Sequence, residues 1–460
     1  VEASMGEGSP RESAHERTPL VGGKRSRQVG SLALASLLFF NVSGGPVGSE
    51  SIVRYGGPLY GLLGVCVFLI IWSLPVALLT AELSSMFPHD GGYILWVRAA
   101  FGKFASFQAA WWGWACGTVD NALYPAMLLS YAAPDLDVVS ATCFKIVSSL
   151  ILAGINLLGL DVVGQVSEVL GVCVLLPFVV MFFLAIPRID PTVWLSIPKT
   201  FKPVELVNVL TWNLNGWDNV STISGEVKQP GKTFPVAILI ALLWVALCYL
   251  LPIIAAISVN HDWSQYTNGI FMKTADAVGG HWLMYAVIAA AVFSCVGLFL
   301  AELVTDSYQL CGLGEQGTLP SVIAERTRFN TPGWAILMST IVVIVLSSLD
   351  FSAILSITNY LYSAGLFLEL AAIVYLRVAE PDLPRPYRIP VGTVGLTVIM
   401  LFPAAIALFM IATASAFTHF VGLAVCLIGL LGWPLVNLVR DKGWMHFEEP
   451  TDGTEAAEDS

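Results

Sequence analysis

The sequence predicts an all-α membrane protein of twelve transmembrane helices, folded as a five-plus-five inverted repeat in which helices 1 and 6 are discontinuous. Three observations carry this. Of the 460 residues, 56% are hydrophobic and only 12% are charged, against roughly 25% charged in an ordinary soluble domain. Twelve stretches approach the about 20 apolar residues a helix needs to cross a bilayer. Two of those stretches, five spans apart, are cut by polar, glycine-rich segments that cannot continue a helix in lipid.

In chain order the spans fall near 30–54, 58–83, 102–131, 139–160, 164–186 and 203–226, then 235–258, 282–312, 333–349, 351–377, 391–413 and 417–439. Spans 9 and 10, and spans 11 and 12, are joined by very short turns and read as antiparallel hairpins. Residues 1–29 lack the apolar core of a signal peptide and read as a disordered cytoplasmic tail. Residues 441–460 form an acidic cytoplasmic tail carrying Glu448, Glu449, Asp452, Glu455, Glu458 and Asp459. Between the tails, 30–186 is repeat one, 203–377 is repeat two, and 391–440 holds helices 11 and 12 outside the repeat.

Charge distribution orients the chain, because cytoplasmic loops carry an excess of Lys and Arg. With both termini inside, 16 of the 22 basic residues are cytoplasmic. The outer six are Arg54, Lys145, Arg188, Lys199, Lys202 and Lys273. An offset of five spans reverses the second half relative to the first, as an inverted repeat requires.

The first interruption is Ser43-Gly44-Gly45-Pro46, and the second is Asn213-Leu214-Asn215-Gly216-Trp217-Asp218-Asn219. Such breaks survive at membrane depth only where they are buried in protein or line a cavity. Paired breaks in the two halves of a chain point to a transporter's binding site. The half-helix starting near Val47 offers N–H groups and a positive dipole end to an anion. The carbonyls near Phe40 to Val42 suit an ammonium. Asn213 and Asn215 bring donors and acceptors, Trp217 an aromatic face able to hold an alkylammonium, and Asp218 either a charge or a helix cap.

Acidic side chains inside spans are costly and are functional candidates by default. Asp120 in span 3 is the leading cation site. Glu302 and Asp306 share one face of span 8 at a spacing of four, as a proton relay or part of a gate. Glu168 lies near one end of span 5. Asp120, Glu168, Glu302 and Asp306 are the proton-coupling candidates. Glu82, Glu226 and Glu369 are nearer span ends and are expected to pair structurally with loop Arg or Lys. No intramembrane Lys or Arg neutralises these carboxylates within the spans, so the cavity should favour cations.

Several classes are excluded. The chain has no basic nucleic-acid surface, no HExxH, no GxSxG and no phosphate loop. The eight cysteines are scattered without a CxxC pair and read as buried thiols. Neither an enzyme, a cofactor nor a metal site is expected.

Several motifs carry a resemblance. They are Asn41-Val42-Ser43-Gly44-Gly45-Pro46, then Glu82 with Pro88-His89-Asp90-Gly91-Gly92-Tyr93, then Asp120-Asn121-Ala122-Leu123-Tyr124-Pro125. Further along come Trp217-Asp218-Asn219, Gly225-Glu226-Val227, Asp306-Ser307-Tyr308-Gln309 and Arg385-Pro386-Tyr387-Arg388-Ile389-Pro390. Together, over roughly 30–440, they resemble the plant and protist polyamine uptake branch of the amino acid–polyamine–organocation superfamily. The resemblance implies proton-coupled uptake, with substrate between Ser43–Gly45 and Asn213–Trp217. Asp120 would stand nearby with an aromatic from span 10, Tyr360 or Tyr362. The chain departs from the pattern at Asn41 and Val76, where plant relatives carry glutamate. The span-5 stretch 171–176 also lacks the lysine of some bacterial relatives.

The expectation is therefore a secondary active transporter, a proton symporter importing polyamines or cationic amino acids across the plasma membrane by alternating access. Its partners are a small cationic organic substrate, the proton and the lipid bilayer. The expected substrate site comprises Asn41, Ser43, Gly44, Gly45, Asp120, Asn213, Asn215, Gly216, Trp217, Asp218 and Tyr360. A neutral amino acid permease of the same fold is the alternative, and a non-transporting nutrient sensor is a third reading.

Overall fold

A computed structural model describes residues 29–448 except 134, 268 and 350, and gives no side-chain description for 351 and 352. Residues 1–28 and 449–460, most of both expected tails, lie outside the described residues. The rest is helical, and the described residues contain no strand beyond two isolated bridges.

The helices in order are α1 (Ser31–Val42), α2 (Glu50–Phe68), α3 (Leu74–Met86), α4 (Tyr93–Asn121), α5 (Leu123–Ala132), α6 (Val138–Leu157), α7 (Leu160–Ala185) and α8 (Pro203–Leu214). They continue as α9 (Pro230–Val259), α10 (Ile270–Gly279), α11 (His281–Glu315), α12 (Gly333–Leu346), α13 (Phe351–Ala379), α14 (Thr393–Ala412) and α15 (Ala416–Asp441). Eight segments, among them Glu50–Met86, His281–Glu315 and Ala416–Asp441, are long and apolar enough to cross a membrane. Two more apolar helices are shorter, Ser31–Val42 and Gly333–Leu346. The remaining expected spans are interrupted by turns, which removes the continuous apolar run without removing the helices on either side.

Local chemistry sets these boundaries. Gly57 turns α2 sharply at φ 62°, a left-handed angle open to glycine, and Pro58 begins the next direction. Pro75 cannot donate a backbone hydrogen bond, and a widened turn at Leu69–Ser73 stands just before it. Asp137 caps α6 by accepting from the N–H groups of Val139 and Ser140, and Ser415 caps α15 through the N–H of Thr418. Pro203 and Pro230 open α8 and α9 at positions where no N–H is needed.

Packing places α1 at the centre. Its Phe39 meets Trp244 of α9 edge-on at 5.9 Å. Its Phe40 lies against α11 at Gly297, where an added Cβ would stand 2.2 Å from the ring. By contrast, the outer faces of α6, α7, α14 and α15 expose Val138, Ile151, Phe183, Leu401, Phe420 and Leu431. An apolar exterior of that extent matches hydrocarbon rather than water, so this is an integral membrane protein.

Candidate functional site

Both interruptions are real breaks in the backbone. α1 ends at Val42, and Gly44 and Gly45 follow at φ 58° and 148° before α2 begins at Glu50. α8 ends at Leu214, Gly216 takes φ 80°, and a tighter helical segment runs over Asn219–Glu226. The two breaks touch. A Cβ on Gly216 would stand 2.5 Å from the carbonyl oxygen of Asn41, so only glycine allows this approach. The same segments meet again where Val29 N–H donates to Glu226 O at 3.0 Å and Lys228 N–H donates to Val29 O at 3.0 Å.

At the first break most polar groups are engaged within the chain. The N–H groups of Ser43 and Gly44 both donate to Phe39 O, at 2.8 and 2.9 Å. Gly48 N–H donates to the Glu50 carboxylate at 2.7 Å. Asn41 donates to Leu37 O and accepts from Thr305 of α11 at 3.2 Å. At the second break Asn213 donates to Val209 O, and its own carbonyl accepts from Tyr249 at 2.7 Å. Asn215 is buried at the end of α8. Trp217 is wholly buried, with its indole N–H on Leu214 O, so it is part of the packing of the break rather than an open aromatic wall.

Asp120 of α4 is buried and accepts from Trp212 Nε1 at 2.9 Å and from Tyr124 Oη at 2.8 Å. Tyr124 Oη is also 3.0 Å from Glu302 Oε2. A phenol has one hydrogen to give. Both contacts are hydrogen bonds together only when one of the two carboxyls carries a proton.

Beside this group lies a narrow pocket between α4, the second break, α11 and α13, with a free volume of about 30 Å³ in this conformation. Glu302, Thr305, Asp306 and Gln309 line it from α11, at the spacing of one helix face. Asp218 lines it from the second break, and Tyr362 and Glu369 from α13. Gly117 belongs to its wall because a Cβ there would stand 1.9 Å from Asp306 Oδ1.

The structure thus brings Asn41, Asp218, Glu302, Asp306 and Asp120 into one neighbourhood with both breaks. Two expected site residues lie elsewhere. Glu168 of α7 lines a separate groove against the start of α1, with Ser31 and Asp161. Tyr360 faces α15, with its ring 5.4 Å from His419 and against Gly422. The helical rotation of two residues explains this, since Tyr360 and Tyr362 point to opposite sides of α13. Tyr362 takes the place at the break, accepting from Gly216 N–H at 3.2 Å and donating to Asp218 Oδ1.

The three acids expected to pair with basic loops divide. Glu82 binds Arg377 through two short contacts of 2.6 and 2.5 Å and lies 3.5 Å from Arg385. Glu226 pairs with Arg326 at 2.9 Å. Glu369 does not follow them: it is buried beside Asp218 in the cavity wall, without a basic partner among the described residues. Nearness to the end of span 10 did not reveal this, because the partner is set by the face of α13 that Glu369 shares with Leu361, Tyr362 and Gly365 in the pocket wall. Arg326 also binds Asp90 at 2.6 Å and Glu315 at 3.1 Å, tying the turn before α4 to the end of α11.

A family model described as amino acid permease matches residues 34–432. The chain is 42% identical over 433 residues to the polyamine transporter PUT1 of Oryza sativa subsp. japonica, covering 93% of this chain and 82% of that protein. It is 41% identical to the polyamine transporter RMV1 of Arabidopsis thaliana, covering 92% and 88%. A more distant similarity, 24% identity covering 79% and 80%, links it to solute carrier family 7 member 13 of Mus musculus.

Proposed function

This chain belongs to the amino acid permease family, and on that footing we propose that it transports polyamines as a proton symporter working by alternating access. The observation that carries the reading is the charge of the cavity. Five buried carboxyl groups lie in or beside it (Asp120, Asp218, Glu302, Asp306 and Glu369), and none is ion-paired to Lys or Arg among the described residues. A buried carboxylate without a counter-charge is costly. An organic polycation supplies that charge on binding.

The first break favours an amine over an amino acid. An α-carboxylate would need backbone N–H donors, and the break offers few: those of Ser43, Gly44 and Gly48 are taken by Phe39 O and the Glu50 carboxylate, which leaves Gly45 and Val47. A linear polyamine brings no carboxylate and needs no such donors. The names of the plant relatives point the same way.

Proton coupling rests on Asp120, Tyr124 and Glu302, where hydrogen counting leaves one place for an exchangeable proton. In this reading substrate sits where the two breaks meet, beside Asn41, Ser43, Gly44, Gly45, Asn213, Asn215, Gly216 and Asp218, with Trp217 packed behind the second break. The chain then has twelve spans in a five-plus-five repeat, both termini in the cytoplasm and import across the plasma membrane.

Competition uptake in proteoliposomes tests this, with labelled putrescine challenged by spermidine, arginine and leucine, with and without an imposed pH gradient. Spermidine should compete, leucine should not, and an inward proton gradient should raise uptake. Competition by leucine with indifference to spermidine would overturn the reading.

A further inference from the structure

One end of the cavity holds carboxyl groups that neither the breaks nor the proton-sharing group uses. Glu369 is 98% buried by its 2% exposure, and Asp306 is 96% buried by its 4% exposure. Both line the cavity, and both leave one carboxyl oxygen, Glu369 Oε2 and Asp306 Oδ2, without a hydrogen-bond partner. A polar atom buried in that state costs free energy that native proteins rarely leave uncompensated. The wall next to them has room. A Cβ added to Gly365, one turn before Glu369 on α13, would meet no atom within 4 Å.

The acids are also spread out rather than bunched. Glu302 and Asp306 are one turn apart on α11, about 6 Å along the axis. The acids come from four elements: Asp120 from α4, Glu302 and Asp306 from α11, Asp218 from the second break and Glu369 from α13. One helical turn is also the scale of the three- or four-carbon segments separating the amines of a linear polyamine.

We infer that Asp306, Asp218 and Glu369 form a second ammonium subsite that receives the distal amine of a triamine or tetraamine, so that the cavity selects substrates by length. This rests on the polyamine reading above and adds to it a residue-level basis for discriminating among amines. Asp306 and Glu369 would each accept from an ammonium N–H with the oxygen now unpartnered, a charge-assisted contact at both sides of the cavity.

The test is the ratio of KM for spermidine to KM for putrescine, measured by uptake in proteoliposomes of the full chain. Wild type is measured first, and absence of uptake of either amine would overturn the polyamine reading itself and this subsite with it. Given wild-type uptake, Glu369→Gln and Asp306→Asn should each raise the ratio about tenfold, the order of one charge-assisted hydrogen bond. Glu369→Asp, which keeps the charge, should restore part of it. The two positions lie on different helices, so if one variant does not fold the other decides. A ratio within twofold of wild type in the folded variants, including parallel loss for both amines, would overturn the subsite. Loss of the response to a pH gradient with an unchanged ratio would instead make Glu369 a proton carrier, and would also overturn it.

Discussion

The hydroxyl of Tyr362 in α13 donates to the carboxylate of Asp218, 144 residues earlier in the chain, while accepting from the N–H of Gly216. One side chain thus holds both the backbone and the charge of the second break. Removing the hydroxyl leaves Asp218 without that donor and Gly216 without an acceptor. Hydrogen bonds to charged groups contribute about 1.5–3 kcal/mol, so Tyr362→Phe should lower polyamine uptake about 10- to 100-fold at equal surface expression. Tyr360→Phe, facing α15, should stay within twofold. Equal effects at the two tyrosines would remove Tyr362 from the site.

Asp120 accepts from two donors, Trp212 Nε1 and Tyr124 Oη. Asp120→Asn preserves the shape and removes the charge. Cation uptake should fall by more than about tenfold, as loss of one charge-assisted contact implies. Fluorescence-detected chromatography should show the variant folded as wild type. Undiminished uptake would show that the group by Tyr124 serves structure only.

The wall at Gly117 is as thin as a wall can be, with the position of a Cβ only 1.9 Å from Asp306 Oδ1. Gly117→Ala must displace the Asp306 carboxylate or open the α4–α11 contact. Overpacking costs about 1–3 kcal/mol, and uptake should fall about tenfold. Gly154→Ala, where a Cβ meets nothing within 4 Å, is the matched control.

Arg326 binds Asp90, Glu226 and Glu315, with its side chain 11% exposed. Removing the one cation leaves three acids facing each other, and breaking a buried pair costs about 3–5 kcal/mol. Arg326→Ala should therefore lower the Tm in detergent markedly, and Arg326→Lys should recover only part because a lysine cannot span three partners with a planar fork.

The same cluster makes a pH prediction. Burial pushes the Asp90 carboxyl up to about 7, against the pull of Arg326. The folded state therefore binds a proton at Asp90 more readily than the unfolded chain does. Its contribution to stability is complete below the ordinary carboxylate range near 4 and is lost as pH rises through about 7. The Tm should fall between pH 5 and 8, and Asp90→Asn should flatten that slope. A slope unchanged in the variant would remove Asp90 as its source.

Much of this was legible in the chain. Composition and apolar runs specify a membrane protein, because each helix must match the hydrocarbon thickness with its own residues. The breaks were legible because Gly44, Gly45, Pro46 and Gly216 constrain their backbone wherever they stand. That Glu82 pairs with a basic residue followed from its place near a span end; its main partner is Arg377 in the last turn of α13, and Arg385 of the following loop lies 3.5 Å away. Glu369 had the same local signature and the opposite surroundings. A carboxyl's partner depends on which helix packs across from it, and nothing within a few residues of Glu369 encodes that.

The sequence alone determined the membrane as solvent, most of the apolar helical runs, and the two points where the backbone must leave the helix, since these depend on local sterics and on transfer from water to lipid. Only the tertiary structure decided which acids share a cavity, that Tyr362 rather than Tyr360 holds the second break, and that Glu168 stands apart. Those outcomes depend on the rotation of each helix about its axis and on close approaches such as Gly216 to Asn41. They arise from packing between segments far apart in the chain, where no local signal reaches.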